Sequence, residues 1–322
     1  MLKVLVTEKI SEAGLDVLRQ DPEVQLLVKT GLSREELLAE VRDVDGMITR
    51  SGTPLDPEVL DAAKRLRAAA RAGVGLDNID LAEASRRGVV VINAPTGNTL
   101  AATEHTMAMM LSLVRKVPQA FQSLASGEWK RSRFLGRQLS GKRLLIVGLG
   151  RIGTQVAARC RAFGMEVSAY DPYVSPAKAD RAGVRLMEDL KGALPLADVV
   201  TLHVPLTAET RGIIDGEAIK ACRPGAFLVN CARGGLVDEA ACAEALRSEH
   251  LAGAAIDVYD GEPPQPDNPL LAGDIREKVI LTPHIGANTE EAQSAVAVIA
   301  CSNLLASLKG KPCENAVNLP FV

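Results

Sequence analysis

The chain has 322 residues, about twice what one compact core usually organises, so two domains are expected. Its 47% hydrophobic and 24% charged residues suit a globular protein, and the 37 basic against 40 acidic residues, a net charge of −3, argue against a nucleic-acid partner. Six scattered cysteines without a CxxC pair, and only four histidines, give no metal-site spacing and read as reduced thiols.

With 3% aromatic residues, the core must be built from Ala, Val, Leu and Ile. The opening Met1-Leu-Lys-Val-Leu-Val-Thr-Glu turns charged too soon for a signal peptide. No apolar run approaches the roughly 20 residues that cross a bilayer, so a cytoplasmic chain without a membrane partner is expected.

Short β-branched runs alternate with helical patterns, the signature of an α/β protein with parallel sheets. Strands are expected at residues 4–6, 46–49, 68–72 and 89–92, with helices at 11–20, 34–41 and 57–65 between them. A long Ala/Met/Leu-rich helix at 100–117 connects this small sheet to a second series. There the expected strands are 144–147, 166–170, 198–202, 226–230, 252–256 and 278–281, a complete doubly wound dinucleotide fold. A final helix opens at Asn288-Thr-Glu-Glu and stops at Lys309-Gly310. It follows the sixth strand, so it is expected to return to the first domain. The expected domains are 1–98 with 286–322, and 99–285.

Gly148-Leu-Gly150-Arg-Ile-Gly153 follows an apolar strand and opens a helix, the context a GxGxxG string needs. Gly148 permits the tight turn, Gly150 admits a pyrophosphate, and Gly153 lets helix and strand pack closely. The helix N-terminus then receives the phosphates. Asp171 ends the next strand, 18 residues beyond Gly153. A carboxylate there accepts from both ribose hydroxyls and repels a 2′-phosphate, which selects NAD over NADP.

Ligands of open parallel sheets lie beyond the carboxyl ends of the strands. Those ends carry His203-Val-Pro205, Cys231-Ala-Arg233-Gly-Gly235, Asp257 and Thr282-Pro-His284. Hydride transfer to or from a 2-hydroxy acid needs a cation for the carboxylate, a group that exchanges the hydroxyl proton, and a partner holding that group in one tautomer. Arg233 suits the first role, His284 the second, and Glu262 of Asp260-Gly-Glu-Pro-Pro the third. Each alone reads as an ordinary surface or turn residue; their joint appearance beside a cofactor turn reverses that. His203 is the rival histidine and reads as a wall of the cofactor site. His105, in the connecting helix, and His250, at a polar helix end, read as structural.

Six strings spread over nearly the whole chain carry a resemblance: Arg71-Ala-Gly-Val-Gly-Leu-Asp-Asn-Ile-Asp80, Asn93-Ala-Pro-Thr-Gly-Asn-Thr99, Gly148 to Gly153, Asn230-Cys-Ala-Arg-Gly-Gly235, Asp257-Val-Tyr-Asp-Gly-Glu-Pro263 and Thr282-Pro-His-Ile-Gly-Ala287. On them the chain resembles the D-isomer-specific 2-hydroxyacid dehydrogenases, above all those acting on 3-phosphoglycerate. The resemblance implies a Rossmann NAD-binding domain plus a smaller, discontinuous flavodoxin-like α/β substrate domain. It implies Arg233, Glu262 and His284 as the catalytic set. It also implies a cofactor site lined by Arg151, Ile152, Asp171, His203, Val204, Pro205, Cys231, Ala232, Arg233, Asp257, His284, Gly286 and Ala287, with Asp257 on the nicotinamide carboxamide.

For the substrate, the resemblance implies Val74, Gly75 and Asn98 beside Arg233 and His284, and Arg50, Arg71 and Arg131 near a phosphate. Arg131, in Gly127-Glu-Trp-Lys-Arg-Ser-Arg-Phe134, would reach a partner subunit's site, since a homodimer or homotetramer built on residues 100–134 is implied. The competing reading is that Lys130, Arg131 and Arg133 form a solvated basic stretch, and that Arg50 and Arg71 pair with nearby acids. The close after Asn318-Leu-Pro suggests a short form without the C-terminal regulatory domain of longer relatives. A hydroxypyruvate or glyoxylate reductase would share every catalytic residue, and an NAD-sensing binding protein would share the fold.

Overall fold

The computed structural model describes residues 1–318, so Leu319 and Pro320 of the closing string lie outside the described residues. The chain forms two compact units, one of Met1–Thr99 with the segment from Ala287 onward, the other of Leu100–Gly286.

In the first unit, strands β1 (Leu2–Val6), β2 (Val24–Val28), β3 (Gly46–Thr49), β4 (Ala68–Arg71) and β5 (Val90–Ile92) lie in one parallel sheet, ordered β2-β1-β3-β4-β5. That is the flavodoxin-like order. Every residue of β3 is buried, as are the three alanines of β4, which is why these strands read as unbroken apolar runs. The helix Glu290–Leu308 lays Val296, Ala297, Ala300, Cys301, Leu304 and Leu308 into the core that Val4, Val6, Ile48 and Ala70 form. Its start is capped by Thr289, whose hydroxyl accepts from Ala292 N–H at 3.1 Å. By length and composition this 19-residue helix is apolar enough to cross a membrane, which corrects the expectation that no run comes near that length. Its apolar content instead covers the sheet.

The second unit holds β6 (Arg143–Val147), β7 (Glu166–Tyr170), β8 (Arg185–Met187), β9 (Val199–Leu202), β10 (Ala226–Asn230), β11 (Leu251–Ile256) and β12 (Val279–Leu281). They form a parallel sheet in the order β12-β11-β10-β9-β6-β7-β8, so strand order reverses beside β6 and the fold is doubly wound. Leu145, Val147, Val200 and Leu228 point into one apolar layer and Leu144, Ile146, Val199 and Val229 into the other. The strands β2 and β8 go beyond the sequence expectation. Both are edge strands: Gln25 and Val28 of β2 and Arg185 of β8 are exposed, so neither carries the buried run that marks an inner strand.

Candidate active site

One hydrogen-bonded row crosses the second sheet at its carboxyl edge. Tyr170 pairs with Val147, Val147 with Leu202, Leu202 with Asn230, Asn230 with Ile256, and Ile256 with Leu281. The next residue on each strand is Asp171, Gly148, His203, Cys231, Asp257 or Thr282. The register of the core therefore lines up the residues that the sequence singles out.

The glycine turn has the form a pyrophosphate requires. Gly148 has φ +98, and a Cβ there would meet the His203 carbonyl oxygen at 2.7 Å. A Cβ at Gly153 would stand 2.1 Å from the Gly148 carbonyl oxygen, so the helix Arg151–Ala162 approaches the turn as only glycine allows. At Gly150, the N-cap, a Cβ would meet nothing within 4 Å. Open space before free N–H groups is a cradle for phosphate oxygens. Asp171 Oδ2 accepts from Leu149 N–H at 2.8 Å and its Oδ1 from Tyr173 N–H at 2.9 Å, which fixes the carboxylate against the turn. Arg151 is exposed at the helix start and Ile152 half-buried beside it. The residues present fit a dinucleotide.

His203, Val204 and Pro205 leave β9 next to this turn. Desolvation holds the His203 imidazole down to about 3, and its Nε2 lies 3.1 Å from Thr201 Oγ1. Its neutral form is thereby favoured. Burial raises the Cys231 thiol to about 12, with the charge of Asp257 adding to the effect, so this sulfur lines the site as a thiol.

Arg233, Glu262 and His284 follow β10, β11 and β12, three adjacent strands. Asn230 clamps the first loop: its Nδ2 donates to the Arg233 carbonyl at 2.9 Å, and its Oδ1 accepts from Ala232 N–H at 3.1 Å. Glu262 is held by Tyr259, whose N–H reaches Oε1 at 3.2 Å. The other carboxylate oxygen, Oε2, lies 2.6 Å from His284 Nδ1. Burial works to raise the Glu262 carboxyl, yet the hydrogen bond and charge of His284 outweigh it and leave the group below its ordinary range. An ionised Glu262 accepts the Nδ1 proton and leaves Nε2 as the nitrogen that can exchange one. His284 adopts φ +52, a left-handed conformation that costs a side-chain-bearing residue about 1–2 kcal/mol.

Asp257 meets that cost. Its side chain is buried, and its oxygens accept from the Thr282 hydroxyl, from Ile285 N–H at 2.9 Å and from Gly286 N–H at 2.9 Å. Burial raises its carboxyl, but these donors and His105 bring it below the usual range. Both oxygens thus hold protein donors, which fix the carboxylate against the His284 turn.

Apart from Arg131, the remaining expected residues belong to the first unit: Arg71 ends β4, and Arg50, Val74, Gly75 and Asn98 lie on the loops that leave β3, β4 and β5. Thr49 pairs with Arg71, so Arg50 and Arg71 stand at neighbouring strand ends. Arg71 Nη1 lies 3.8 Å from Asp77 Oδ2, and Arg50 Nη1 donates to the Lys9 carbonyl at 3.4 Å. Val74 is tied down through its carbonyl, which accepts from Asn93 Nδ2 at 2.7 Å; Gly75 and Asn98 are half-buried. In the second unit Arg131 is exposed on the turn Arg131–Phe134. Its neighbours Lys130 and Arg133 pair with Glu128 and Glu277, whereas among the described residues Arg131 forms no ion pair.

Residues 107–286 match the family model of the D-isomer specific 2-hydroxyacid dehydrogenase NAD-binding domain. The whole chain is 49% identical to a D-3-phosphoglycerate dehydrogenase of Archaeoglobus fulgidus and 47% identical to one of Methanocaldococcus jannaschii, in each case over 100% of this chain and 60% of the relative. The chain belongs to the D-isomer-specific 2-hydroxyacid dehydrogenases. It spans about 60% of the length of these curated relatives. A solved structure from Thermus thermophilus superposes with a TM-score of 0.90 at 38% identity, covering 98% of this chain and all of that one. The matched NAD-binding domain thus falls within the unit Leu100–Gly286.

Sequence reading missed several residues that shape these loops. Glu8 accepts from the N–H groups of Arg50, Gly52 and Thr53 at 2.7, 3.1 and 2.9 Å, while Asn78 Nδ2 donates to the carbonyls of Arg50 and Thr53. Tyr259 OH donates to the Thr282 carbonyl at 3.1 Å, tying the Glu262 loop to the His284 loop. No periodicity announces such contacts. The one available signal is position, since Asn78, Asn230 and Tyr259 sit within the strings that carry the resemblance.

Proposed function

We propose that this dehydrogenase interconverts 3-phosphoglycerate and 3-phosphohydroxypyruvate with NAD, the first step of serine biosynthesis. The 2.6 Å contact of His284 Nδ1 with Glu262 carries the reaction class, because it leaves one imidazole nitrogen to exchange the substrate's hydroxyl proton. Bound NAD supplies the hydride acceptor. Arg233 binds the substrate carboxylate and polarises the reacting oxygen. In the oxidative direction His284 takes the hydroxyl proton as that oxygen becomes a carbonyl, and in reduction it returns it. Glu262 keeps the ring in one orientation and stabilises the imidazolium. Arg151, Ile152, Gly148, Gly150, Gly153 and Asp171 hold the dinucleotide, with His203, Val204, Pro205, Cys231, Ala232, Gly286 and Ala287 lining its nicotinamide half.

The names of the relatives and three arginines support the phosphorylated substrate: Arg50, Arg71 and Arg131 supply the charge a dianionic phosphate needs, with Val74, Gly75 and Asn98 beside the carboxylate. A panel of 2-keto acids with NADH, ranked by kcat/KM, tests it. Activity on hydroxypyruvate or glyoxylate far above that on phosphohydroxypyruvate would replace this substrate with the unphosphorylated one. NADH binding without turnover of any keto acid would favour a nucleotide sensor.

In this reading the protein works in the cytoplasm as a homodimer or homotetramer. Val117, Phe121, Leu124 and Trp129 support this assembly, since each leaves more than half of a large apolar side chain exposed within one short stretch. Sedimentation velocity at micromolar concentration tests it, and a monomer would remove the proposed interface.

A further inference from the structure

Behind the loop that carries His284 stands a residue none of these roles uses, His105 on the helix Thr99–Arg115. Its Nε2 lies 3.2 Å from Asp257 Oδ1 and 3.3 Å from Thr282 Oγ1. The side chains of His105 and Asp257 are 15% and 1% exposed, so water is a poor substitute for either.

The protons can be assigned by asking which atoms must donate. The Thr282 hydroxyl has one proton, and Asp257 Oδ1 takes it. The Thr282 oxygen is then an acceptor, as Oδ1 is, so both contacts with His105 require a proton on Nε2. Oδ1 also receives Ile285 N–H, Oδ2 receives Gly286 N–H, and the Asp257 backbone carbonyl receives His284 N–H at 2.8 Å. Three successive N–H groups of the His284 turn therefore converge on one residue. The stack has no slack: a Cβ on Gly286 would lie 3.2 Å from Asp257 Oδ2 and 3.7 Å from His105 Cδ2.

We propose that His105 is a positioning residue for the acid/base: by donating from Nε2 to Asp257 Oδ1, it fixes the carboxylate that orients the turn of His284, Ile285 and Gly286. The inference rests on the reading of His284 as the proton-exchanging group. Displacement of a reacting group by a fraction of an ångström acts on turnover more than on ground-state binding.

The test uses His105→Leu, which keeps bulk but has no donor, and His105→Gln, which restores an N–H. Two quantities are read on the full chain: hydrogen exchange at the Ile285 and Gly286 amides, and kcat and KM for the keto acid and NADH. In His105→Leu the two amides exchange at least about tenfold faster and kcat falls about tenfold, with both KM values within about twofold; His105→Gln recovers most of each loss. Unchanged exchange in His105→Leu, or a Gln variant as impaired as the Leu variant, overturns the inference. So does a rise in KM at unchanged kcat. If the amides respond as expected while the unaltered protein reduces no keto acid, the tether stands and the reading of the site fails.

Discussion

Gly234 presses against the carbonyl of Tyr259 so closely that a Cβ on it would stand 1.7 Å from that oxygen. The contact joins the loop bearing Arg233 to the loop bearing Glu262, and it explains why the arginine is followed by glycine. Gly234→Ala must push the two loops apart. Overpacking of this kind costs about 1–3 kcal/mol, so a lower thermal midpoint and a reduced kcat are expected together. A variant with native Tm and kcat would show that the loops separate freely.

Proton exchange assigned to His284 gives a second expectation. His284→Ala should lower kcat by about 10² or more, since a positioned general acid/base contributes about that factor. NADH titration monitored by fluorescence should stay near the unaltered affinity, because the glycine turn is untouched. A loss of NADH binding as large as the loss of kcat would assign the contribution of His284 to holding the cofactor and not to proton exchange.

Arg131 separates phosphate recognition from a merely basic surface. Lys130 and Arg133 are held by acidic neighbours, whereas Arg131 stands exposed. Arg131→Ala should raise KM about tenfold or more for phosphohydroxypyruvate and barely change it for hydroxypyruvate. Equal effects on both acids would count against a phosphate role.

His203 gives a pH dependence of stability. Its imidazole is held down to about 3 from an ordinary 6.5. Between these values the unfolded chain binds a proton that the native chain refuses, so the native state loses stability as pH falls through that window and regains it above. Urea unfolding at about pH 7 and about pH 5 should show a smaller acid loss in His203→Gln than in the unaltered protein. The pH profile of kcat should keep its shape in that variant, since His203 does not titrate in the working range. Identical acid losses would mean that His203 is protonated in the native state.

The parallel sheets and the glycine turn are legible in the sequence because each has a local signature, whereas Arg233, Glu262 and His284 stand out only jointly, beyond successive strands beside that turn. Inner strands such as β3 and β6 are continuous apolar runs, and the turn follows one of them. β2 and β8 are harder to read, since none of their residues is fully buried, whereas the other edge strands, β5 and β12, keep a short buried apolar run. His105 reads as structural because nothing in a helical Ala/Met/Leu stretch signals that residue 257, over 150 positions away, ends beside it. Asp257 stands out as a strand-end acid, but the donors that claim it come from backbone N–H groups, which no sequence displays.

The row of paired residues from Tyr170 to Leu281 has one more consequence. Each loop that bears Arg233, Glu262 or His284 starts one peptide beyond a strand whose alignment is set by interlocked hydrocarbon side chains beneath it. A slip of a single position in any of those strands would turn the following side chain to the opposite face. Substitutions deep among Leu144, Val200 or Leu228 are thus expected to abolish the proposed activity without approaching its ligands, and a screen for inactive variants should find them scattered through the interior.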